Sequence, residues 1–221
     1  MSAKKQKRPA GREHNPARTR GRILSVATQE FSRRGYDGAR VDEIMRRSKV
    51  SKNLVYHYFD SKEKLFVAVL DAAYGRMRAR LGELVLDPAH PVEAIRTLID
   101  ALFRYWNEAP DFIGLLASEN FHKGRHLRQI KAIAEGYPRL MIAIRDVLEE
   151  GQRQGVFRAN IDPVDLYISI SALAYHYLSN RYTLSVLFSR DFAEDDQNAS
   201  WVTNIEKLVL GFLLNRAPLP V

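Results

Sequence analysis

Apolar residues recur every three or four positions along most of this chain, and prolines divide the pattern into segments. Such spacing is typical of amphipathic helices, and no segment shows the apolar–polar alternation of a half-buried strand. Beyond four helices in the first third, the spacing predicts helices at about 91–108, 111–121, 125–134, 138–153, 163–188 and 199–216. We therefore expect an all-α fold of about nine to ten helices.

The first helices carry clear start and stop signals. The first is expected to end at Gly35, a second short helix lies around 41–45, and a third begins after Ser51, a good N-cap. Either Asp60 or Ser61 is expected to cap a long fourth helix. Three short helices, with a tight turn between the second and third, indicate a helix-turn-helix DNA-binding unit.

The positive charge is concentrated in the first 64 residues, which hold 17 Lys and Arg against 7 Asp and Glu. The remaining residues hold 17 against 19, so the first part supplies the whole excess behind the net charge of +8. This distribution is expected if the first part faces nucleic acid. A basic tail kept for solubility would explain residues 1–22 but not the basic residues beyond them.

Composition excludes several other classes of protein. The chain has no cysteine, which excludes a disulfide scaffold and a Cys-ligated zinc finger and is compatible with a cytoplasmic location. Residues 1–22 lack the apolar core of a secretory signal. The apolar stretch 164–188 contains Asp165, His176 and Arg181, so we expect a helix buried in protein and no membrane span.

The polar residues of the third helix are suited to DNA. Small or polar groups at its start let a helix enter the major groove, where side chains reach base edges and phosphates. Leu54, Val55 and Tyr58 are expected to face the first two helices, and Phe59 to lie in the core. The predicted DNA-binding residues are Arg40, Ser51, Lys52, Asn53, Tyr56, His57 and Lys62. For each one alone, the alternative is a solvated surface side chain.

Residues 17–66 resemble the DNA-binding domain of the tetracycline-repressor (TetR) family. The resemblance rests on Gly35 and Tyr36, on Val-Asp-Glu-Ile at 41–44, and on Val-Ser-Lys-Asn-Leu-Val-Tyr-His-Tyr-Phe-Asp-Ser-Lys-Glu-Lys-Leu at 50–65. It implies a homodimeric, all-α regulator with a small-molecule pocket in a variable carboxyl-terminal domain. The domains expected are a basic flexible tail at 1–16, the helix-turn-helix domain at 17–61, and a ligand-binding and dimerisation domain at 62–221.

The chain departs from the family pattern around the turn. Ala39 replaces a threonine that would cap the second helix, and Arg40 is expected to substitute for it. Lys49 and Asn53 replace glycines, so the turn is expected to hold a bulkier residue in a left-handed conformation.

The carboxyl-terminal part has no basic excess and is rich in aromatic residues, which suits a small-molecule pocket. In the helix at 163–188, Ser169, His176 and Asn180 fall on one stripe of an otherwise apolar element. The candidate ligand-binding residues are Phe103, Trp106, Asn120, His122, Tyr137, Tyr167, Ser169, His176 and Asn180. The alternatives are core packing for the aromatic residues and hydrogen bonding within the core for the polar ones.

The last helix is apolar on two faces. One face carries Trp201, Ile205, Leu208 and Phe212, and the other carries Val202, Val209 and Leu213. Both faces are buried most simply if a second copy packs against the last two helices, so we expect a homodimer. The alternative is a helix central to its own domain. A two-fold dimer predicts a palindromic operator with half-sites about 34 Å, or a multiple of that distance, apart.

Together these features favour a ligand-responsive transcriptional regulator, and specifically a repressor released from its operator by a small molecule. An enzyme with its active site in the carboxyl-terminal domain is one alternative, but no Gly-rich phosphate loop or nucleophile setting supports it. No cofactor is expected. No metal is expected either, because His122 and His126 lack a carboxylate at metal-ligand spacing and are interpreted as a surface pair. A nonspecific architectural DNA binder is the other alternative, and the aromatic-rich second domain argues against it.

Overall fold

The computed structural model describes residues 15–134 and 138–215. Over these residues the chain is helical, and only an isolated bridge between Phe157 and Leu214 has strand character. The described residues form ten helices: α1 (Pro16–Gly38), α2 (Val41–Ser48), α3 (Lys52–Phe59), α4 (Lys62–Gly82), α5 (Pro91–Glu108), α6 (Pro110–Phe121), α7 (Lys131–Ala134), α8 (Pro138–Arg153), α9 (Pro163–Phe188) and α10 (Asp195–Leu213). A 3₁₀ turn at Leu127–Gln129 lies between α6 and α7. The all-α prediction is confirmed.

Capping side chains fix where the amino-terminal helices begin. The Asn15 side chain accepts a backbone N–H of the first turn at 3.1 Å, so α1 begins at Pro16, inside the predicted tail. Ser51 caps α3 as expected. Ser61 rather than Asp60 caps α4, through a hydrogen bond of 3.1 Å.

The turn between α2 and α3 closes on Lys49, whose φ of 54° and ψ of 46° are left-handed. The expected bulky left-handed residue is therefore Lys49, whereas Asn53 lies within α3 and has no positive φ. Arg40 occupies the N-cap of α2, but its side chain makes no capping hydrogen bond, so the expectation that it replaces a threonine cap is wrong. The Arg40 N–H instead donates to the buried Glu30 carboxylate at 3.3 Å.

The core of the first three helices continues into α4. Val55 and Phe59 are buried, Tyr58 is half-buried against the same core, and Leu54 is half-buried. The buried apolar residues from α1 to the first turn of α4 are Ile23, Ala27, Phe31, Ala39, Ile44, Val55, Phe59, Leu65 and Phe66. Because α3 buries only one side, its other side remains free to meet a partner.

Three predicted helices differ from those observed. The first continues past Gly35, where it kinks at a φ of 66°, and ends at Gly38. The segment 125–134 is not one helix, because the Glu119 carboxylate accepts the backbone N–H groups of His126 and Leu127 at 2.7 and 2.9 Å and diverts the chain. The last helix begins earlier than predicted, at Asp195, and ends at Leu213.

The apolar stretch that raised the question of a membrane span forms α9. It packs against α5, α8 and α10, and its residues Leu166, Ile170, Ala174, Tyr177 and Leu178 are buried. In the described parts of the chain, no helix combines the length and apolarity needed to cross a membrane.

The helix-turn-helix unit is joined to the rest of the chain where α1 crosses α6. A Cβ added to Gly114 would lie only 2.2 Å from the carbonyl oxygen of Ser32. The Ser32 hydroxyl donates to Asp111 at 3.0 Å, and the Tyr36 N–H donates to the Ser118 hydroxyl at 2.9 Å. The two helices thus approach too closely for any side chain at position 114.

We expect Gly114→Ala to lower the free energy of unfolding by about 1–3 kcal/mol, because the added methyl group forces α1 and α6 apart. Gly82→Ala is the matched control, since nothing lies within 4 Å of the Cβ that it adds. Chemical denaturation measures both variants. An unchanged free energy of unfolding in Gly114→Ala would contradict the close crossing.

Candidate nucleic-acid interface

The polar residues of α3 share one side of the helix. Lys52, Asn53 and His57 are exposed and Tyr56 is half-buried, while the opposite side packs into the core. Ser51, also exposed, accepts the Leu54 N–H at 3.3 Å and so begins the helix. The structure therefore brings five of the seven predicted DNA-binding residues together. Their ammonium, amide, imidazole and hydroxyl groups are of the kinds that contact base edges and phosphates.

The other two predicted DNA-binding residues begin α2 and α4. Arg40 is exposed. Lys62 is half-buried, and its Nζ donates to the Asp37 carbonyl oxygen at 3.2 Å and lies 5.0 Å from the centre of the Tyr36 ring. Burial lowers the pKa of the Lys62 ammonium, an effect that the Asp37 charge opposes. Lys62 therefore links the end of α1 to the start of α4, besides its candidate role at DNA.

A buried carboxylate, Glu30, holds arginines beside this surface. Its side chain lies 3.3 Å from Arg34 Nε and 3.8 Å from Arg47 Nη1, and it accepts the Arg40 N–H. A carboxylate that is only 3% exposed has lost most of its contact with water, and these partners offset that loss. The sequence did carry a signal for it, since Glu30 interrupts the apolar stripe of α1 that begins at Ile23.

The two histidines after α6 face the junction with α1. His126 is fully buried, with Nδ1 2.7 Å from Glu119 Oε2 and its ring centre 4.6 Å from that of Tyr36. His122 is half-buried, with Nε2 3.2 Å from a carboxylate oxygen of Asp37. The interpretation as a surface pair is therefore wrong. Within residues 15–134 and 138–215, no group of three or more His, Asp or Glu is placed to hold a metal ion.

Three candidate ligand residues, Phe103, Trp106 and Tyr167, lie in the aromatic interior of the carboxyl-terminal domain. The Phe103 ring centre is 6.3 Å from that of Tyr177, and Trp106 stacks on Phe112 at 5.4 Å. The buried indole N–H of Trp106 has no acceptor among the described residues. Burial raises the pKa of the Tyr167 hydroxyl, which stays neutral at physiological pH.

Two further interior tyrosines were missed from the sequence. Tyr74 and Tyr105 pack edge-on against Phe112 at 5.0 and 5.8 Å. Burial raises the pKa of each hydroxyl to about 12, so both stay protonated at physiological pH. Their helical spacing among apolar residues gave no sign beyond core packing.

The polar stripe of α9 does not line the aromatic interior that contains Trp106. Ser169 and His176 are exposed and Asn180 is half-buried. Ser169 lines a groove of about 290 Å³ between α9 and α10, whereas Tyr167 and Tyr175 face the aromatic interior. The structure therefore does not bring this stripe together with Trp106.

The remaining candidates are also apart from the interior. Asn120 is exposed, and its Nδ2 donates to the Leu116 carbonyl oxygen at 2.9 Å, while His122 belongs to the junction with α1. Tyr137 lies outside the described residues.

Several large apolar side chains of α9 and α10 are exposed. They are Val164, Ile168, Tyr182, Val186, Leu187, Phe188, Leu208 and Phe212. The other face of α10, which includes Ile205, Val209 and Leu213, is buried within the protomer. Ile205 thus lies on the buried face, not with Leu208 and Phe212 as predicted. An exposed apolar surface of this extent is typical of a protein–protein interface.

Two protein-family models match this chain, one in its amino-terminal part and one in its carboxyl-terminal part. Residues 23–69 match the family model of bacterial regulatory proteins of the tetR family, and residues 91–209 match that of the tetracyclin repressor-like carboxyl-terminal domain. The chain is 37% identical over 193 residues to the HTH-type transcriptional repressor NicS of Pseudomonas putida, covering 87% of this chain and 91% of that protein. It is 32% identical over 161 residues to the HTH-type transcriptional repressor SCO4008 of Streptomyces coelicolor, covering 72% and 78%.

Solved structures agree with this result. A transcriptional regulator of Streptomyces coelicolor, SCO4942, aligns with a TM-score of 0.61 and 28% identity over 86% of this chain and 97% of its own. A TetR transcriptional regulator of Chloroflexus aurantiacus aligns with a TM-score of 0.65 over 90% and 98%, and at 20% identity it shows the fold alone. The chain therefore belongs to the TetR family of helix-turn-helix transcriptional regulators.

Proposed function

We propose that this regulator is a homodimeric repressor that acts in the cytoplasm, holds a palindromic operator through α3 and releases it when a small molecule binds. The observation that carries the proposal is the exposed polar side of α3, made by Ser51, Lys52, Asn53 and His57 on a unit whose other side is packed. Two of its relatives are named repressors, which supports repression over activation.

In this proposal α3 lies in the major groove. Lys52 and Asn53, near its amino end, contact base edges, while Tyr56 and His57 contact the sugar–phosphate backbone. Arg40 and Lys62 sit at the starts of α2 and α4, where the helix dipole favours a phosphate.

The exposed apolar side of α9 and α10 is the proposed dimer interface. Two copies related by a two-fold axis would cover Ile168, Leu208 and Phe212 of each chain. The same axis would relate the two α3 helices, and it requires two inverted half-sites in the operator.

The crossing of α1 and α6 is the proposed path from ligand to DNA. Because Gly114 and Ser118 hold α6 directly against α1, a displacement of α6 moves the helix-turn-helix unit with it. A ligand that binds the displaced arrangement more tightly than the DNA-bound one lowers operator affinity. The size of the effect is set by the ratio of the ligand's affinities for the two arrangements.

Fluorescence anisotropy tests the DNA-binding part of the proposal. The full chain is titrated at physiological salt onto DNA from upstream of its own gene and onto a shuffled duplex of equal composition. We expect the upstream DNA to bind about 1,000-fold more tightly or better. Equal affinity for both duplexes would contradict the proposal and favour a nonspecific architectural binder.

A further inference from the structure

The stretch of sequence ahead of α1 carries positive charge that the proposed contacts of α2, α3 and α4 do not use. Residues 1–14, which precede the described part of the chain, contain five Lys and Arg and one Glu. All seven predicted DNA-binding residues lie beyond this stretch, between positions 40 and 62. So large a positive excess attracts a polyanion.

The start of α1 continues this charge on the surface of the protein. Arg18 and Arg22 are exposed, and they share a face of the helix because they are about one turn apart. Neither side chain forms an ion pair with another described residue. Later in the same unit, by contrast, Arg34 and Arg47 both pair with Glu30. The two arginines at the start of α1 are therefore available to an external anion.

This end of α1 lies beside the helix that is proposed to read DNA. The guanidinium carbon of Arg20 lies 5.2 Å from the centre of the Phe59 ring, and Phe59 is the last residue of α3. The chain ahead of α1 therefore starts close to the duplex when α3 lies in the major groove. In homeodomains, an arm ahead of the first helix enters the minor groove next to the major groove that the third helix reads.

The stretch is long enough to reach such a minor groove. The minor groove lies about half a helical turn from the adjacent major groove, which is about 17 Å along the DNA axis. Arg12 is three residues and Arg8 is seven residues ahead of Asn15, the first described residue. Seven residues span at most about 25 Å, so both arginines can enter the groove while α3 stays in place.

The sequence around these two arginines suits a narrow groove. The minor groove is about 6 Å wide, half the width of the groove that admits a helix. Arg8 and Arg12 are separated only by Pro, Ala and Gly, none of which has a bulky side chain. Arginine is attracted to the minor groove of A·T-rich DNA, because the groove is narrowest and its negative potential strongest there.

We propose that residues 8–12 occupy the minor groove next to each half-site, with Arg8 and Arg12 in contact with A·T pairs, and that Arg18 and Arg22 contact the phosphates at its edge. Each copy of the chain then reads DNA in two grooves. The proposal rests on the DNA-binding function proposed above, and it adds a requirement for A·T pairs outside the bases that α3 contacts.

A modified base makes the test specific to the minor groove. 2,6-Diaminopurine in place of adenine adds an amino group to the minor groove and leaves the hydrogen-bonding groups of the major groove unchanged. The duplex carries the two half-sites mapped by footprinting, with A·T pairs on both sides of each, and only these flanking adenines are replaced. In fluorescence anisotropy, we expect the replacement to weaken binding of the full chain about tenfold.

Arg8→Ala combined with Arg12→Ala tests the two arginines, and Lys4→Ala combined with Lys5→Ala is the matched control. Each double variant removes two positive charges from the same stretch. We expect the arginine variant to bind the unmodified duplex about tenfold more weakly and to bind the modified duplex equally well. The lysine variant should keep the tenfold difference between the two duplexes, because only the arginines enter the groove.

Two results would overturn the proposal: equal affinity of the full chain for both duplexes, or the same tenfold difference in the arginine variant as in its parent. The second result would make the stretch a basic tail without a place in the minor groove. A shuffled duplex is titrated in the same series. If the full chain prefers the operator to the shuffled duplex but ignores diaminopurine, only the minor-groove proposal fails. If it binds the operator and the shuffled duplex equally, the DNA-binding function fails as well.

Discussion

Leu208→Glu is expected to convert the dimer into monomers and to weaken operator binding roughly 100-fold or more, because a monomer loses the avidity of two linked reading heads. Leu208 is 52% exposed in the protomer, so its replacement leaves the protomer core intact. In the proposed interface, the new carboxylate would be buried without a partner, which opposes association strongly.

Sedimentation velocity and operator anisotropy measure the two effects of Leu208→Glu. Val85→Glu is the matched control, because Val85 is 83% exposed and belongs to the segment between α4 and α5, outside α9 and α10. The control should sediment at twice the 25.3 kDa of one chain and bind the operator normally. A Leu208→Glu protein that remains dimeric would place the interface elsewhere.

Lys52→Ala is expected to weaken operator binding about tenfold or more while leaving the dimer intact. Lys52 is exposed at the first position of α3, and a direct contact to a base contributes about 1–3 kcal/mol of discrimination. Lys131→Ala, which removes an exposed lysine from α7, is the control and should bind normally.

The way in which Lys52→Ala loses affinity shows whether Lys52 contacts a base or a phosphate. If Lys52 contacts a base, preference among operator variants relaxes at one position. If it contacts a phosphate, the affinity for every DNA sequence falls by a similar factor, and the slope of log affinity against log salt concentration decreases by about one. Unchanged affinity for every duplex would exclude α3 from the contact surface. His57→Ala, the second exposed position on that side, should also weaken binding.

Family membership makes this chain a transcriptional regulator rather than an enzyme. The sequence led to this conclusion through local signals. Ser51 as a cap, the one-sided burial of α3 and the run at 50–65 depend on residues close together in the chain, which spacing and capping preferences describe well.

Other features depended on particular side-chain contacts, which spacing and capping preferences do not describe. The Glu119 carboxylate, seven residues before His126, accepts the His126 N–H and diverts the chain, so a continuous helix at 125–134 was predicted where there is none. In α9, apolar residues surround the helix, so the sequence did not indicate that Tyr175 faces the interior and His176 the surface. Glu30 was missed because its arginine partners come from α1 and α2 together.

Hydroxyl-radical footprinting on the upstream DNA shows whether a dimer contacts DNA through two copies of α3. We predict two protected half-sites of inverted sequence whose centres are about 34 Å, or a multiple of that distance, apart, and loss of both in Leu208→Glu. Uniform protection along the duplex, or one half-site protected equally by the parent protein and Leu208→Glu, would contradict it.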